Sequence, residues 1–169
     1  VLSNQMAESG MMGELVSAVQ GRLNRRASVA ALPALIGLLP MPGGALFSAP
    51  LVQDCDRDGT IDPLVKTKAN YWFRHVWEVW WPIYPGVLLA IELSGLEVWQ
   101  YLAVMAPLSL FAIAGGYLFI LRRISRPHAP GSEGDRRPIL PLLAPVLIVI
   151  SSYALIQLFA PRASEISKY

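Results

Sequence analysis

The sequence has little charge and almost no cysteine. Only 15% of its 169 residues are charged, whereas 54% are hydrophobic, and an average soluble protein has about 25% charged residues. This composition argues against an ordinary soluble domain and against a disordered chain. The single cysteine, Cys55, excludes an internal disulfide, and two histidines leave little for a metal site. The 14 basic and 12 acidic residues form short clusters, so no nucleic-acid partner is indicated.

Catalytic motifs are also absent from the sequence. It contains no H-E-x-x-H motif, no G-x-S-x-G turn and no Walker loop. We therefore expect neither enzymatic activity nor a cofactor. The chain begins at Val1 and shows no signal peptide, so we expect an internal fragment of a longer protein.

Long uncharged stretches predict an all-α, polytopic membrane protein with about three transmembrane spans. Residues 98–121 and 139–160 are uncharged over 24 and 22 residues, enough for the about 20 residues of a membrane helix. Residues 76–94 are aromatic-rich and contain prolines, which predicts a broken span. Residues 1–26 carry apolar side chains at helical spacing and predict an amphipathic helix.

The basic residues orient these segments. The polar segments 53–75 and 122–138 hold four and five basic residues, and the turn at 95–97 holds none. Loops rich in lysine and arginine lie in the cytoplasm, so both polar segments are predicted to be cytoplasmic loops. The expected location is therefore the inner (cytoplasmic) membrane, which the chain crosses several times.

The same charges predict a re-entrant hairpin in residues 27–52. Both flanks of this uncharged segment are basic, so it must enter the membrane and return on the same side. The sequence M-P-G-G at 41–44 stands where the tip would lie. Arms of 11 and 8 residues would reach roughly 16 and 12 Å, about half of a 30 Å hydrocarbon core. A single kinked span is the alternative.

Two long motifs carry a resemblance to a known family: LPALIGLLPMPGGALFSAPLV at 32–52 and NYWFRHVWEVWWPIYPG at 70–86. They resemble an uncharacterised prokaryotic integral-membrane family, the domain of unknown function 401. That family is grouped with the ion-transporter superfamily, whose relatives carry gluconate, citrate and dicarboxylates. The resemblance implies inverted repeats whose hairpin tips present a Ser-Asn-Thr type motif to substrate and sodium. This sequence has Pro40 to Gly44 there, so the resemblance transfers neither sodium coupling nor a particular substrate.

These features predict a secondary active transporter of a small organic anion, a carboxylate, coupled to protons or sodium ions. The expected surrounding is the lipid bilayer, and a homodimer is compatible with the features. One alternative is a membrane-embedded structural or accessory protein without transport activity. Another is a membrane hydrolase whose catalytic residues lie outside this stretch.

The predicted substrate site is the hairpin tip. A broken backbone at membrane depth must be satisfied by protein or water, and a helix that begins near Ala45 would offer free N–H groups to an anion. A tight turn that only packs is the alternative. The residues expected to bind substrate are Pro42, Gly43, Gly44, Ala45 and Ser48.

A second candidate group comprises Arg74, His75 and Glu78. On a helix, Glu78 would lie beside both other side chains, and such a trio could couple transport to protons. The surrounding tryptophans favour another interpretation, in which the trio is an ion pair within an anchor at the membrane interface.

The acidic loop after the hairpin is predicted not to bind calcium tightly. Five residues match positions 1, 3, 5, 6 and 9 of a calcium loop: Asp54, Asp56, Asp58, Gly59 and Asp62. Position 12, however, is Val65, where calcium loops need a bidentate carboxylate. Calorimetry on the purified protein should detect no micromolar calcium binding. A micromolar or lower dissociation constant that Asp58→Ala abolishes would contradict this prediction.

Overall fold

In the computed structural model, every regular element in the part of the chain that it describes is a helix, which confirms the predicted all-α class. The described residues are 14, 17–19, 21–39, 43–56, 58–124, 147–148 and 151–152. Most of the predicted amphipathic helix, most of the linker 122–138 and nearly all of the span 139–160 lie outside them. The helices are α1 (Arg25–Gly37), α2 (Gly44–Asp54), α3 (Pro63–His75), α4 (Pro85–Ser94) and α5 (Val98–Phe119), followed by a 3₁₀ turn (Leu121–Arg123).

Helices α1 and α2 form an antiparallel hairpin that corresponds to the two predicted arms. Asn24 caps α1, and its side chain accepts a hydrogen bond from the N–H of Ala27 at 2.9 Å. Gly43 precedes α2 with φ +72°, a left-handed conformation that favours glycine. Arg25 at the start of α1 pairs with Asp56 just after α2, so the open ends of the two helices lie side by side.

Helix α3 occupies residues 63–75, which the sequence analysis assigned to a loop. Asp62 caps the helix, and Pro63 lies in its first turn, where a missing N–H costs no hydrogen bond. Val65, Ala69 and Phe73 recur every four residues and pack into the core with the hairpin. Only one face of α3 is apolar, so a search for long uncharged stretches does not find it.

Helix α5 coincides with the predicted span 98–121. Together with the 3₁₀ turn it contains an 18-residue window of mean hydropathy 2.0, and it is the one helix in the described part that is long and apolar enough to cross a membrane. Arg26 of α1 donates to the carbonyl of Ile124 at 3.0 Å, which places the end of α5 beside the start of α1. Trp80, beyond the end of α3, bonds to Leu102 of α5. Helix α5 therefore runs antiparallel to α1 and α3.

Helices α3 and α5 approach each other closely at Gly116. A Cβ at this position would lie 2.7 Å from the rings of Phe73 and Trp72, so a larger residue would push the helices apart. Trp72 also donates from its indole nitrogen to the carbonyl of Ala112 at 2.8 Å. Gly116 thus permits the helix contact, as small residues do between membrane helices.

A buried carboxylate, Asp56, joins the open end of the hairpin to α3. Asp56 is 2% exposed. It pairs with Arg25 of α1 and with Lys66 of α3, the latter at 2.9 Å. It also accepts hydrogen bonds from the backbone N–H groups of Thr60 and Ile61. This carboxylate is position 3 of the calcium-like pattern. Helices α2 and α3 flank the loop, as helices flank a calcium loop, but Arg25 and Lys66 already neutralise the carboxylate.

The network around Asp56 predicts a loss of stability in acid. Burial by itself would raise the pKa of Asp56, but the hydrogen bonds from Lys66 and Ile61 and the charges of Lys66 and Arg25 outweigh it. The pKa of Asp56 therefore lies below its ordinary value of 3.8. A group whose pKa is lower in the folded state stabilises the fold above the unfolded-state pKa. That contribution is lost as the pH falls through the folded-state pKa.

We therefore expect the free energy of unfolding to fall below about pH 4, and Asp56→Asn to remove part of this dependence. At neutral pH the same substitution should cost about 3 kcal/mol, because it leaves paired cations without their carboxylate. Thermal and denaturant unfolding of the purified protein measures both effects. Asp58→Asn is the control, since Asp58 also pairs with Arg25, at 3.1 Å, but its side chain is 65% exposed and the loss of an exposed pair should cost little. Identical pH profiles for Asp56→Asn and the unsubstituted protein would contradict the assignment.

Candidate functional site

The hairpin tip and Arg74, which the sequence analysis treated separately, lie against each other. Gly44 is the buried first residue of α2, and a Cβ on it would collide with the guanidinium of Arg74. Arg74 belongs to the last turn of α3 and is 3% exposed. The first N–H groups of a helix lack partners within it, so this guanidinium lies where α2 is itself electropositive. Pro42 of the predicted site lies outside the described residues.

Arg74 connects the ends of three segments. Its Nη2 donates to the carbonyl of Leu39, just after α1, at 3.1 Å. Its Nη1 donates to the hydroxyl of Tyr84 at 2.8 Å, and that hydroxyl donates to the carbonyl of Gly37 at 2.6 Å. The guanidinium therefore holds together the end of α1, the start of α2 and the chain that leads into α4.

Two tryptophans after α3 complete the capping of α1. Trp77 donates from its indole nitrogen to the carbonyl of Ala34 at 2.8 Å, and Trp81 donates to that of Leu38 at 3.1 Å. The last four carbonyls of a helix have no partners within it. In α1, Ala34 and Gly37 receive side-chain donors, while the two carbonyls between them accept N–H groups of the following turn. The aromatic segment thus satisfies the hairpin backbone where α1 ends.

The neighbouring tryptophans bond in the opposite direction, to α5. Trp72 donates to the carbonyl of Ala112, and Trp80 donates to that of Leu102 at 2.9 Å. The sequence predicted a belt of tryptophans at the membrane interface. In the structure, four indole N–H groups bind backbone carbonyls, two of them towards the hairpin (Trp77 and Trp81) and two on α5 (Trp72 and Trp80). The aromatic segment therefore packs between the hairpin and α5.

Ser48 of the predicted substrate site is fully buried and faces α3. Its hydroxyl lies 2.5 Å from Oδ1 of Asn70, and Nδ2 of Asn70 donates to the carbonyl of Ala45 at 2.8 Å. Sequence reasoning missed Asn70. The available signal was its spacing, because Asn70 precedes Arg74 by four residues and shares its helix face. Ser48 and Ala45, two residues of the predicted substrate site, therefore take part in a polar contact between α2 and α3, one turn below the tip.

His75 and Glu78 form a pair with each other and are more exposed than Arg74. Helix α3 ends at His75, so Glu78 lies in the following turn and not on a continuous helix. Nε2 of His75 is 3.7 Å from a carboxylate oxygen of Glu78, and its Nδ1 is 2.5 Å from the carbonyl of Tyr71. The three residues therefore form a partly exposed histidine–glutamate pair and a buried arginine that faces the hairpin.

The chemistry of the tip favours an anion. Its guanidinium presents a planar set of donors that matches a carboxylate, and the adjoining helix N-terminus adds a positive potential. Within the described residues, no group of three or more histidine, cysteine, aspartate or glutamate side chains is arranged to hold a metal ion. The residues that would contact an anion are Gly43, Gly44 and Arg74, with Tyr84 and Asn70 in support.

Comparison with known proteins identifies a family without a described activity. No curated protein and no solved structure matches the chain. The model of the family described as "Protein of unknown function (DUF401)" matches residues 1–164. Because this match covers nearly the whole chain, the protein belongs to that uncharacterised family.

Proposed function

We propose that this protein is a multi-pass membrane transporter of a small organic anion, in which Arg74 and the hairpin tip bind a carboxylate of the substrate. The observation that carries the proposal is the buried guanidinium at the N-terminus of α2. Ionisable residues at membrane depth are costly and are retained chiefly where they serve function. Transporters also bind anions at the N-termini of broken helices, which this tip resembles.

The surface of α5 supports membrane placement. The core helix of a soluble protein is mostly buried, whereas only 22% of the apolar window of α5 is buried. Large apolar side chains cover its outer face, including Phe111 and Phe119 at 75% and 74% exposure. Such a face is stable against lipid and unfavourable against water. Further crossings at 76–94 and 139–160 belong to the same proposal.

Charge is distributed unequally between the two ends of the molecule. Arg25, Arg26 and Lys66 lie at the open end of the hairpin, beside Arg123 at the end of α5. The opposite turn at 95–97 contains no lysine or arginine. This asymmetry supports a cytoplasmic location for the open end of the hairpin.

Helix lengths support a re-entrant hairpin. Helix α1 has 13 residues and α5 has 22, so they are about 20 and 33 Å long. Both extend from the same basic end, and the carbonyl of Val76, two residues after Arg74, accepts a hydrogen bond from Ser109 of α5, so the tip lies near the middle of α5. At that depth Arg74 is enclosed by protein, as irregular backbone at membrane depth requires.

The coupling ion, a proton or sodium, also belongs to the proposal. The pair of His75 and Glu78 adjoins Arg74 in the chain and is the candidate for proton coupling. One observation favours the accessory-protein alternative. The bonds of Arg74 to Leu39 and Tyr84 close the tip without any ligand, as a purely structural lock would.

Cysteine labelling tests the orientation. Native Cys55 is buried and would resist reagents on either side, so the test starts from Cys55→Ser. In right-side-out vesicles, an impermeant maleimide should label Gly95→Cys but should label Asp58→Cys only after permeabilisation. Both positions are exposed, and because Gly95 has φ +65°, membrane insertion of Gly95→Cys is measured beside that of Asp58→Cys. Labelling of Asp58→Cys in intact vesicles would contradict the re-entrant hairpin.

Transport assays test the substrate site. The full-length protein in proteoliposomes should take up labelled gluconate, lactate or a dicarboxylate under an imposed proton or sodium gradient. Arg74→Lys retains the charge but loses the planar donors, so the apparent affinity should fall about tenfold or more. Gly44→Ala should also impair uptake, because the new Cβ displaces the guanidinium.

The control is Gly86→Ala, since a Cβ at Gly86 meets no atom within 4 Å. Thermal unfolding and membrane insertion are measured for all variants, so that misfolding is separated from loss of transport. Tip variants that insert normally and transport like the unsubstituted protein would make the tip a packing turn. If no anion moves under any gradient, the accessory-protein alternative replaces the proposal.

A further inference from the structure

A cavity of about 320 Å³ lies between the start of α3 and the end of α5. It is at the opposite end of α3 from Arg74, so it is separate from the proposed substrate site. Its volume is in the lower range of cavities that hold small ligands. Part of its wall is apolar, formed by Leu64, Val65 and Ile124.

Two cations from different helical segments line this cavity, Lys68 of α3 and Arg123 of the 3₁₀ turn. Within the described residues, neither forms a salt bridge. One carboxylate, Asp62, also lines the cavity. It accepts the N–H of Leu64 at 2.7 Å as the cap of α3, so its negative charge faces a helix N-terminus. The cavity therefore offers two available positive charges.

The backbone next to Arg123 is anchored by contacts of Ile124. The next residue, Ile124, is 2% exposed and belongs to the hydrophobic core. Its carbonyl accepts hydrogen bonds from the guanidinium of Arg26. Opposite it, the backbone N–H of Ile61 is bonded to Asp56. The backbone next to Arg123 is thus anchored to the core and to α1.

We propose that this cavity binds the phosphate headgroup of an anionic phospholipid of the cytoplasmic leaflet. The inference rests on the membrane placement in the proposed function but not on transport. The cavity lies where the apolar α5 ends, at the level expected for headgroups, and basic pockets between membrane helices on this side bind such lipids. Leu64 is 60% exposed beside it and offers an apolar surface to the adjoining acyl chain.

Lipid retention tests this inference. The full-length protein is reconstituted into vesicles of equal parts phosphatidylglycerol and phosphatidylcholine and extracted in mild detergent, and the retained lipids are counted by native mass spectrometry. Phosphatidylglycerol should be retained in excess, and Lys68→Gln combined with Arg123→Gln should reduce its retention several-fold. Arg122→Gln, compared with Arg123→Gln alone, is the control, because each removes one positive charge and Arg122 is an exposed neighbour that does not line the cavity.

The remaining outcomes are distinct. Equal retention of both lipids, or an equal loss in Arg122→Gln, would overturn the site. If millimolar inorganic phosphate displaced the retained phosphatidylglycerol, the cavity would be a site for free phosphate, and the proposed binding of a phospholipid would be contradicted. Selective retention without anion transport would sustain this inference and overturn only the proposed transport. Recovery of the protein in the soluble fraction of lysed cells would overturn both.

Discussion

The guanidinium of Arg74 is the contact on which the hairpin tip depends. A buried guanidinium is costly unless its donors are bonded, and here Nη1 and Nη2 of Arg74 donate to Tyr84 and Leu39. That requirement has consequences for the residues around it. Gly44 must lack a side chain so that α2 can begin against the guanidinium, and Gly37 must lack one where α1 meets the backbone of Arg74. The chain after α3 must also return to the tip so that the Tyr84 hydroxyl can bridge to α1.

Polar contacts hold the hairpin against α3 at both of its ends. At the open end Asp56 pairs with Arg25 and Lys66, and at the tip Arg74 serves the same purpose. Between them lies the hydrogen bond of Ser48 and Asn70. In a membrane, burial of apolar surface does not by itself separate helix–helix contacts from helix–lipid contacts. Bonds of this kind, together with the close packing at Gly116, fix the arrangement of the described helices.

The two proposed ligands would occupy opposite ends of α3. An anion at the tip would meet a buried cation in a site closed by tryptophans and Tyr84, whereas a lipid headgroup would meet exposed cations at the basic end. The same guanidinium could both stabilise the folded hairpin and bind an anion. A carboxylate that replaced the carbonyl of Leu39 would keep Nη2 of Arg74 bonded.

The sequence by itself determined the features that depend on neighbouring residues. The uncharged run 98–121 predicted α5 (Val98–Phe119) to within two residues, and the glycines at 43 and 44 predicted the break before α2. Only the tertiary structure decided that Gly44 and Arg74, thirty positions apart, would lie against each other, and that Arg74 would be buried while His75 and Glu78 stay partly exposed. Hydropathy and turn propensity are local properties of the chain. A contact between two helices depends on how they pack in three dimensions. The same holds for α3, which has only one apolar face and therefore no long uncharged run that would predict it.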